Sequence, residues 1–234
     1  RLMLLFPYQD LTRVGPIRSA REYFVRWAEE YGGVYVHAGG APSALNELQT
    51  SSMLYQLDED DRLTGEHYST RDLRYPEPHN LFVNLLLIRE RAKEKEWKFE
   101  APRQSWCFRE EGSLSSLGQV GSLGKIRSPS DPYEPYEPFP SFSLSFSFDP
   151  QYDVTFQYDA DSKTYRRFYG KNRLLPHTDQ EDGLQVAPKN LIVQVARSRL
   201  IVGDTKERIE INDIGSGKAF LYRDGMKIAG TWKK

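Results

Sequence analysis

Residues 15–21 read Gly15-Pro16-Ile17-Arg18-Ser19-Ala20-Arg21, and the Gly39-Gly40-Ala41-Pro42-Ser43 segment follows about one helix later. Gly15-Pro16 indicates a turn that leads directly into a helix. Arg18 and Arg21 then lie near the amino end of that helix, where the macrodipole disfavours cations by about 0.3–1 kcal/mol each. We therefore expect a negative group beside them, either an acidic side chain of the protein or an anionic ligand.

The clearest helix is predicted to run from Ser19 to Tyr31. Ser19-Ala20-Arg21-Glu22 has the spacing of a capping box, and Gly32-Gly33 provides the left-handed cap that ends the helix. The apolar residues recur at the spacing of one buried helix face. They are Ala20, Tyr23, Phe24, Trp27, Ala28 and Tyr31.

The first hundred or so residues predict alternating strands and helices, which is typical of a mixed α/β domain. The predicted elements are a strand over 1–8, a strand over 34–38, a helix over 42–49, a strand over 53–57 and a long helix over 81–97. Pro78-His79-Asn80 is predicted to cap the long helix, whose apolar first half should be buried. The acidic run Asp58-Glu59-Asp60-Asp61 lacks the pattern of a calcium loop and predicts a solvated surface.

The second half of the chain predicts strands almost throughout. Gly, Ser and Pro dominate residues 112–140, which we interpret as a linker between domains. Alternation in Phe142, Leu144, Phe146 and Phe148 predicts a half-buried strand, and turn signals at 159–162 and Asp224-Gly225 predict hairpins. The predicted fold class is α+β, with an N-terminal α/β domain over 1–111 and a C-terminal antiparallel β-rich domain over 141–234.

Composition excludes several classes of protein. The 234 residues carry a formal net charge of −1, so no basic excess is present to neutralise nucleic-acid phosphates. Cys107 is the single cysteine, which rules out internal disulfides and cysteine-rich zinc sites, and we interpret it as a buried, inert thiol. No segment approaches 18 apolar residues, the length that would predict a transmembrane helix. We expect both ends of the sequence to be cut edges of a longer protein.

Several short motifs follow one another in a fixed order. They are Gly15-Pro16-Ile17-Arg18-Ser19-Ala20-Arg21, His37-Ala38-Gly39-Gly40, Pro78-His79-Asn80, Tyr165-Arg166-Arg167, His177-Thr178-Asp179, Asn190-Leu191-Ile192-Val193, Gly215-Ser216-Gly217-Lys218 and Gly230-Thr231-Trp232. Together they resemble the YerB-like family of bacterial lipoproteins over nearly the entire chain. The resemblance implies an extracytoplasmic protein of Gram-positive-type bacteria, tethered to the outer face of the cytoplasmic membrane by an N-terminal lipid whose cysteine lies upstream of this chain. It implies no established activity.

The best candidate ligand site combines the two segments near the start of the chain. Its residues are Arg18, Ser19, Arg21, His37, Gly39, Gly40 and Ser43. A strand that ends in Gly-Gly before a helix directs backbone N–H groups at an anion, and the arginines add positive charge. In the alternative, structural interpretation the glycines let a helix pack close to the sheet, and the arginines pair with acidic residues such as Asp10.

Other polar segments have catalytic potential. His79 and Asn80 lie in a proline-bounded turn, and His177 and Asp179 lie in a loop after the strand that holds Arg166. A His-x-Asp pair orients an imidazole as a base or supplies metal ligands. We include Asn80 and Arg166 among the ligand-binding candidates and assign no catalytic residue. The catalytic candidates are His37, His79, His177 and Asp179.

Neither a metal nor a cofactor is expected. The candidate histidines and Asp179 lie on distant segments, so their spacing does not demand a metal. Gly215-Ser216-Gly217-Lys218 looks like a phosphate loop, but Asn212 stands where its first glycine is needed, Ala219 where Ser or Thr is needed, and a strand follows. Nucleotide binding there is excluded.

Two functions are compatible with these observations. The first is a non-catalytic envelope protein that binds an anionic cell-wall polymer or a wall-synthesis enzyme. Its partners include no nucleic acid, and it meets the membrane only through the lipid anchor. The second is a hydrolase or transferase that acts on an envelope glycan or phosphodiester, with histidines as acid–base groups and arginines holding charge. Convergence of the histidines in one pocket would favour the enzyme.

Overall fold

The described part of the chain consists of an N-terminal mixed unit and a C-terminal unit of strands, which confirms the predicted α+β class. The computed structural model describes residues 11–52, 54–59, 68–98, 137–146, 149–171, 174–179, 182–206 and 208–234. The chain forms two compact units, Arg1–Ser113 and Leu114–Lys234. Within the described ranges, no helix has both the length and the apolar character needed to cross a membrane. The predicted strand over 1–8, Cys107 and residues 112–136 lie outside the described residues.

The N-terminal unit is built from two small sheets and their helices. Its elements are α1 (Glu22–Glu29), β1 (Gly33–His37), α2 (Pro42–Thr50), β2 (Leu54–Asp58), β3 (Ser69–Arg71), β4 (Leu81–Val83) and α3 (Leu85–Glu94). Strands β1 and β2 pair in parallel and are connected through α2, while β3 and β4 pair antiparallel. The core between α1 and α2 consists of small and branched residues, because these allow close packing. Its members are Ala20, Val25, Ala41, Ala44 and Leu48.

The predicted capping box of the first helix is wrong. Helix α1 begins at Glu22, and its N-cap residue Arg21 is extended and provides no side-chain cap. Ala20 forms a parallel bridge with Gly40, and its amide donates to the carbonyl of Gly39 at 2.9 Å. These tertiary hydrogen bonds hold Ala20 in a β-bridge, so the helix starts at Glu22, three residues after the predicted start at Ser19.

The prediction of one long helix over 81–97 is also wrong at its start. Residues 81–83 are strand β4, and α3 begins at Leu85 with Asn84 as its cap, which accepts from the amides of Leu86 and Leu87. A short apolar run fits a buried strand as well as a helix, and pairing with β3 decides between them. Leu86 and Leu87 are 37% and 41% exposed. The prediction that the apolar first half of this helix is buried is therefore wrong for these two residues.

The acidic run begins with Asp58, the last residue of β2, and continues with Glu59. These two residues are not part of the solvated surface that the composition of the run predicts. Glu59 is buried and accepts hydrogen bonds from the backbone amide of Tyr68 and the hydroxyl of Ser69. The carboxylate of Asp58 accepts from the amide of Gly39 at 2.7 Å. These two carboxylates tie neighbouring segments of the unit together, while Asp60 and Asp61 lie outside the described residues.

Among its described residues, the C-terminal unit has two four-stranded sheets and a separate two-stranded sheet. Its strands are β5 (Glu137–Pro138), β6 (Ser141–Leu144), β7 (Val154–Asp159), β8 (Thr164–Tyr169), β9 (Leu175–Pro176), β10 (Asn190–Gln194), β11 (Arg197–Leu200), β12 (Ile209–Asn212), β13 (Ser216–Arg223) and β14 (Met226–Lys233). The sheet orders are β6-β7-β8-β9 and β10-β13-β14-β5, and β11 pairs with β12. Each of these neighbouring strand pairs is antiparallel. Strand β5 falls in the range predicted as linker.

Both predicted hairpins of the C-terminal unit are confirmed. Strands β7 and β8 pair across the 159–162 turn, and β13 and β14 pair across Asp224 and Gly225. Asp224 and Gly225 have φ angles of 50° and 74°, the left-handed values that Asp-Gly supplies in a two-residue turn. An aromatic cluster fills the core of this unit. Its buried residues are Phe142, Val154, Phe156, Tyr165 and Tyr222.

Candidate anion-binding site

A small cleft in the N-terminal unit brings together polar and apolar residues from four segments. Its volume is about 180 Å³, and it is lined by Ile17, Arg18, Ser19, Ala38, Arg71, Pro78 and Leu81. The space corresponds to roughly six water molecules at about 30 Å³ each. It is below the roughly 300 Å³ at which pockets for whole drug-sized ligands begin. The cleft therefore suits one chemical group of a larger ligand.

Backbone hydrogen bonds hold the 15–18 segment in place beside this cleft. The amide of Ile17 donates to the carbonyl of Leu81 at 2.7 Å, and the amide of Ala38 donates to the carbonyl of Arg18 at 3.2 Å. A β-carbon on Gly15 would lie 2.8 Å from the same Leu81 carbonyl oxygen, so only glycine fits there. Hydrogen bonds to Leu81 of β4 and to Ala38, which follows β1, thus fix the backbone of the segment that carries Arg18.

Arg18 reaches the exposed side chain of His79. Its Nη1 lies 2.8 Å from Nδ1 of His79. Because a guanidinium only donates hydrogen bonds, Nδ1 is the acceptor and a neutral His79 ring carries its proton on Nε2. The pair therefore combines a guanidinium with an imidazole whose Nε2–H is a donor.

Arg71 provides a second guanidinium that sequence analysis missed. It lies at the end of β3, and its Nη1 donates to Oδ1 of Asn80 at 2.9 Å. Asn80 is 2% exposed, so its side chain holds Arg71 in position and does not itself face a ligand. The Nη1 atom of Arg71 also lies 3.6 Å from Oε1 of Glu77. The sequence around Arg71 contains no turn or glycine signal that marks it as part of a site.

Asp72 anchors the loop that carries Glu77, Pro78 and His79. Its carboxylate receives hydrogen bonds from Arg74 and Arg13, each at 2.6 Å. Its amide donates to the carbonyl of Asn80 at 2.7 Å. The hydrogen bonds from Arg74 hold the pKa of Asp72 well below its ordinary value. The carboxylate therefore stays ionised at neutral pH and holds one wall of the cleft.

His37 has both of its ring nitrogens occupied inside the protein. It is 0% exposed. Its Nδ1 lies 3.0 Å from the carbonyl oxygen of Gly39 and 3.7 Å from Oδ1 of Asp58, and its Nε2 lies 3.2 Å from Oε1 of Gln56. The ring also stacks on Tyr35 with 5.5 Å between centroids. These contacts describe a structural histidine that links the ends of β1 and β2.

The glycine pair after β1 also makes internal contacts. The amide of Gly39, the group expected to face an anion, already donates to Asp58. A β-carbon on Gly40 would lie 2.8 Å from Leu45 Cδ2 and 3.1 Å from Ala20 Cβ, so this glycine permits close packing. Arg21 donates to the carbonyl of Ala20 at 2.7 Å. Ser43 is exposed on α2 and does not line the cleft.

The remaining candidates lie in the C-terminal unit, where they form separate contacts. Arg166 pairs with Asp159 in a cleft of about 290 Å³. Arg167 donates to Nδ1 of His177, whose ring centroid lies 4.5 Å from that of Tyr169. Within the N-terminal unit, the structure brings together Arg18, Ser19, His79 and Asn80. Within the described ranges, no group of three or more His, Cys, Asp or Glu side chains could hold a metal ion.

The stability of the C-terminal unit is predicted to fall as the pH drops through the range in which histidine titrates. Burial lowers the pKa of His177, Arg167 lowers it further, and Asp179 opposes them. The unfolded chain therefore binds a proton before the folded one does, and stability is lost as pH falls below the unfolded pKa of about 6.5. Unfolding by denaturant at pH 7.5 and pH 5.5 should show this loss. The loss should be smaller in His177→Gln, and an equal loss in both proteins would contradict the assignment.

Comparison with known proteins places both halves of the chain in one group. Residues 1–98 match the "Protein of unknown function (DUF3048) N-terminal domain", and residues 143–234 match the C-terminal domain of the same description. A relative, "Putative lipoprotein YerB" of Bacillus subtilis (strain 168), is 25% identical over 240 residues, which cover all of this chain and 62% of the relative. The crystal structure of YerB protein from Bacillus subtilis has a TM-score of 0.71 at 24% identity, over 97% of this chain and 67% of that chain. The fold is therefore shared along nearly the whole chain.

Proposed function

Because this chain belongs to the YerB-like family and carries its two domains in order, we propose that it is a cell-envelope protein that binds an anionic cell-wall component. The Bacillus subtilis relative is named as a lipoprotein, and a lipid tether of that kind would keep this protein at the outer face of the cytoplasmic membrane. The chain spans 62% of that relative's length. The lipid anchor and the wall partner are therefore proposed for the whole protein.

The observation that carries the proposal is the convergence of Arg18, His79 and Arg71 at one open cleft. Arg18 and Arg71 both line it, and His79 is hydrogen-bonded to Arg18 through Nδ1. Charge-assisted hydrogen bonds from guanidinium groups are the strong interactions with carboxylate and phosphate oxygens. Ile17, Pro78 and Leu81 supply an apolar wall for the carbon atoms that flank such a group.

The size of the cleft favours a repeating polymer over a small free metabolite. A cavity of about 180 Å³ takes one charged group, so most of the ligand remains outside. A polymer that presents many such groups gains apparent affinity, because a neighbouring group rebinds when one dissociates. This is the situation of an anionic polymer in the cell wall.

Binding to purified cell walls should depend on the two cleft arginines. Co-sedimentation with walls that retain their anionic polymers should give saturable binding that weakens as salt rises, because exposed charges are screened. Arg18→Ala or Arg71→Ala should weaken it about 10- to 100-fold, the equivalent of one hydrogen bond between charged partners. Arg18→Ala should unfold at the same denaturant concentration as the parent within experimental error. Arg71→Ala removes the donor to the buried amide oxygen of Asn80 and should unfold at a somewhat lower concentration, so its binding is measured under conditions in which it is fully folded.

Arg223→Ala is the matched control. Arg223 is 60% exposed, pairs with Asp224 at a hairpin turn and does not line the cleft, so the variant makes the same change in net charge without removing a cleft residue. It should bind walls like the parent. Equal weakening in Arg223→Ala would show non-specific charge attraction, and wall binding that persists in Arg18→Ala and Arg71→Ala would place the binding surface elsewhere.

A further inference from the structure

We propose that the hairpin formed by β11 and β12 contacts an anionic lipid bilayer and inserts its turn at Val202 into the bilayer interface. The inference goes beyond the proposed function, because it concerns a different ligand and residues that do not line the cleft. It adds a second membrane contact to the lipid anchor that the family resemblance implies. The observation behind it is an apolar turn that the fold leaves uncovered.

The turn after β11 presents a valine to solvent. The amide of Asp204 donates to the carbonyl of Ile201 at 3.2 Å, and Gly203 has a φ of 78°, the positive value that a type II turn requires of its third residue. Val202 is 98% exposed, although glycine, proline and small polar residues dominate turns. A residue in a groove is shielded by its neighbours, so an exposure this high means that Val202 protrudes.

Internal hydrogen bonds hold this turn in place. The carboxylate of Asp204 accepts from the amide of Lys206 at 2.8 Å and from Nη1 of Arg208 at 3.1 Å. The side chains of Asp204 and Arg208 are only 9% and 16% exposed, so their ion pair is shielded from water. The exposure of Val202 therefore belongs to a braced turn, and Val202 can enter a bilayer without refolding of the loop.

Strand pairing places further apolar side chains beside the turn. Leu200 pairs with Ile209 across the hairpin, so their side chains lie on the same face. They are 62% and 42% exposed. A two-stranded hairpin is marginally stable by itself in water, and covering this face removes apolar surface from water. The end of the hairpin therefore gains stability when an apolar medium covers it.

The charges of the hairpin complement an anionic surface. Its described acidic side chains, Asp204 and Glu210, are each paired with an arginine. Arg197 and Lys206 are exposed, and neither has an ion pair among the described residues. A lysine or arginine close to an anionic membrane surface strengthens binding about fivefold. These two cations therefore favour an anionic bilayer over a neutral one.

A bilayer fits this surface better than a folded partner does. A standard protein interface takes about 20–30 residues from each side. The exposed apolar surface at the turn comes from Leu200, Val202 and Ile209. A protruding turn needs a matching pocket on a protein, whereas a bilayer accepts it at any point. A lipid anchor on the same protein would keep the hairpin close to the bilayer, so that a weak contact is sufficient.

The experiment measures co-sedimentation of the 234-residue chain with vesicles of phosphatidylcholine alone and of phosphatidylcholine mixed with phosphatidylglycerol. The parent should bind the mixed vesicles more tightly. Val202→Asp should weaken this binding about tenfold or more, because the apolar tip is replaced by an anion. Arg197→Ala and Lys206→Ala should each weaken it about fivefold, and raised salt should remove the effect of both cations.

Leu184→Asp is the matched control. Leu184 is 67% exposed, lies outside the hairpin and gains the same charge on substitution. This variant should bind the mixed vesicles like the parent. Because Leu184 and Val202 are both exposed, neither substitution reaches the core, and circular dichroism should give the spectrum of the parent for both variants.

A fluorescent variant separates insertion from adsorption at the surface. Val202→Trp should show blue-shifted emission on mixed vesicles and quenching by brominated lipids, beyond the signal of the four native tryptophans. Leu184→Trp should show neither change. A tryptophan at 202 that is not quenched would contradict insertion of the turn.

Other results would overturn the membrane contact altogether. These are a parent that does not bind the mixed vesicles, or a Val202→Asp variant that binds them as tightly as the parent. Self-association in sedimentation velocity that Val202→Asp abolishes, without vesicle binding, would instead assign the turn to a contact between two copies. Wall binding that is lost in Arg18→Ala and kept in Val202→Asp supports the proposed function whatever the vesicles show.

Discussion

Phe142→Ala is expected to lower the free energy of unfolding of the C-terminal unit by about 3–5 kcal/mol, the usual cost of removing a buried phenylalanine ring. Its ring stacks on Tyr222 with 3.8 Å between centroids and on Phe156 with 5.4 Å between centroids. It also meets the edge of Tyr165, which is completely buried. Removing the ring leaves a cavity between residues of both four-stranded sheets. Denaturant unfolding followed by circular dichroism measures the loss.

The chain contains its own control for this substitution. Phe146 has the same place in the alternating pattern as Phe142, but it is 71% exposed beyond the end of β6. Phe146→Ala should change stability by less than about 0.5 kcal/mol, as is usual for surface positions without special contacts. Similar losses in both variants would mean that the strand's apolar face extends past Leu144.

His37→Ala is expected to destabilise the N-terminal unit by about 3–5 kcal/mol, because it removes a fully buried ring and leaves its hydrogen-bond partners without it. Those partners are the carbonyl of Gly39 and the side chain of Gln56. A loss of this size lowers the melting temperature of a unit of about 100 residues by more than about 10 °C. Calorimetry of the parent and the variant measures it directly.

His79→Ala is the contrasting variant. His79 is exposed and contacts Arg18 at the cleft, so its loss should leave the melting temperature within about 2 °C of the parent. It should nevertheless weaken binding to cell walls, because one donor disappears and Arg18 loses its neighbour. If His37→Ala is as stable as the parent but fails to bind walls, His37 does not have a structural role and is instead a ligand-binding residue.

The elements of the C-terminal unit follow from signals that are local in the sequence. The Asp224-Gly225 turn needs only residues that accept left-handed backbone conformations, and both flanking strands follow directly from it. The same holds for the hairpin across residues 159–162. The alternating phenylalanines predict a strand correctly, but not where it ends. Strand β6 ends at Leu144 because this residue pairs with Val154, which is the first residue of β7.

The N-terminal unit shows why the candidate site could be predicted only in part. Glycine and arginine signals directed attention to Arg18 and Ser19, and both of these residues line the cleft. The same signals included Gly39, whose amide holds Asp58, a residue 19 positions away. Arg71 had no signal at all, because its role arises from contacts with Asn80 and Glu77 across a loop. Sequence pattern marks residue types and local turns, and it carries no information about which distant partner occupies a donor.

By itself, the sequence determined the fold class, the family, the presence of the three helices but not where the first and third begin, and the hairpins of the second half of the chain. These depend on apolar periodicity, turn residues and motif order, all of which are contained in short segments. Only the tertiary structure decided that residues 81–83 are a strand, that His37 is internal, and that Arg18 meets His79, 61 residues further along the chain. The physical reason is that burial and hydrogen-bond partners are set by chain segments that come together only on folding.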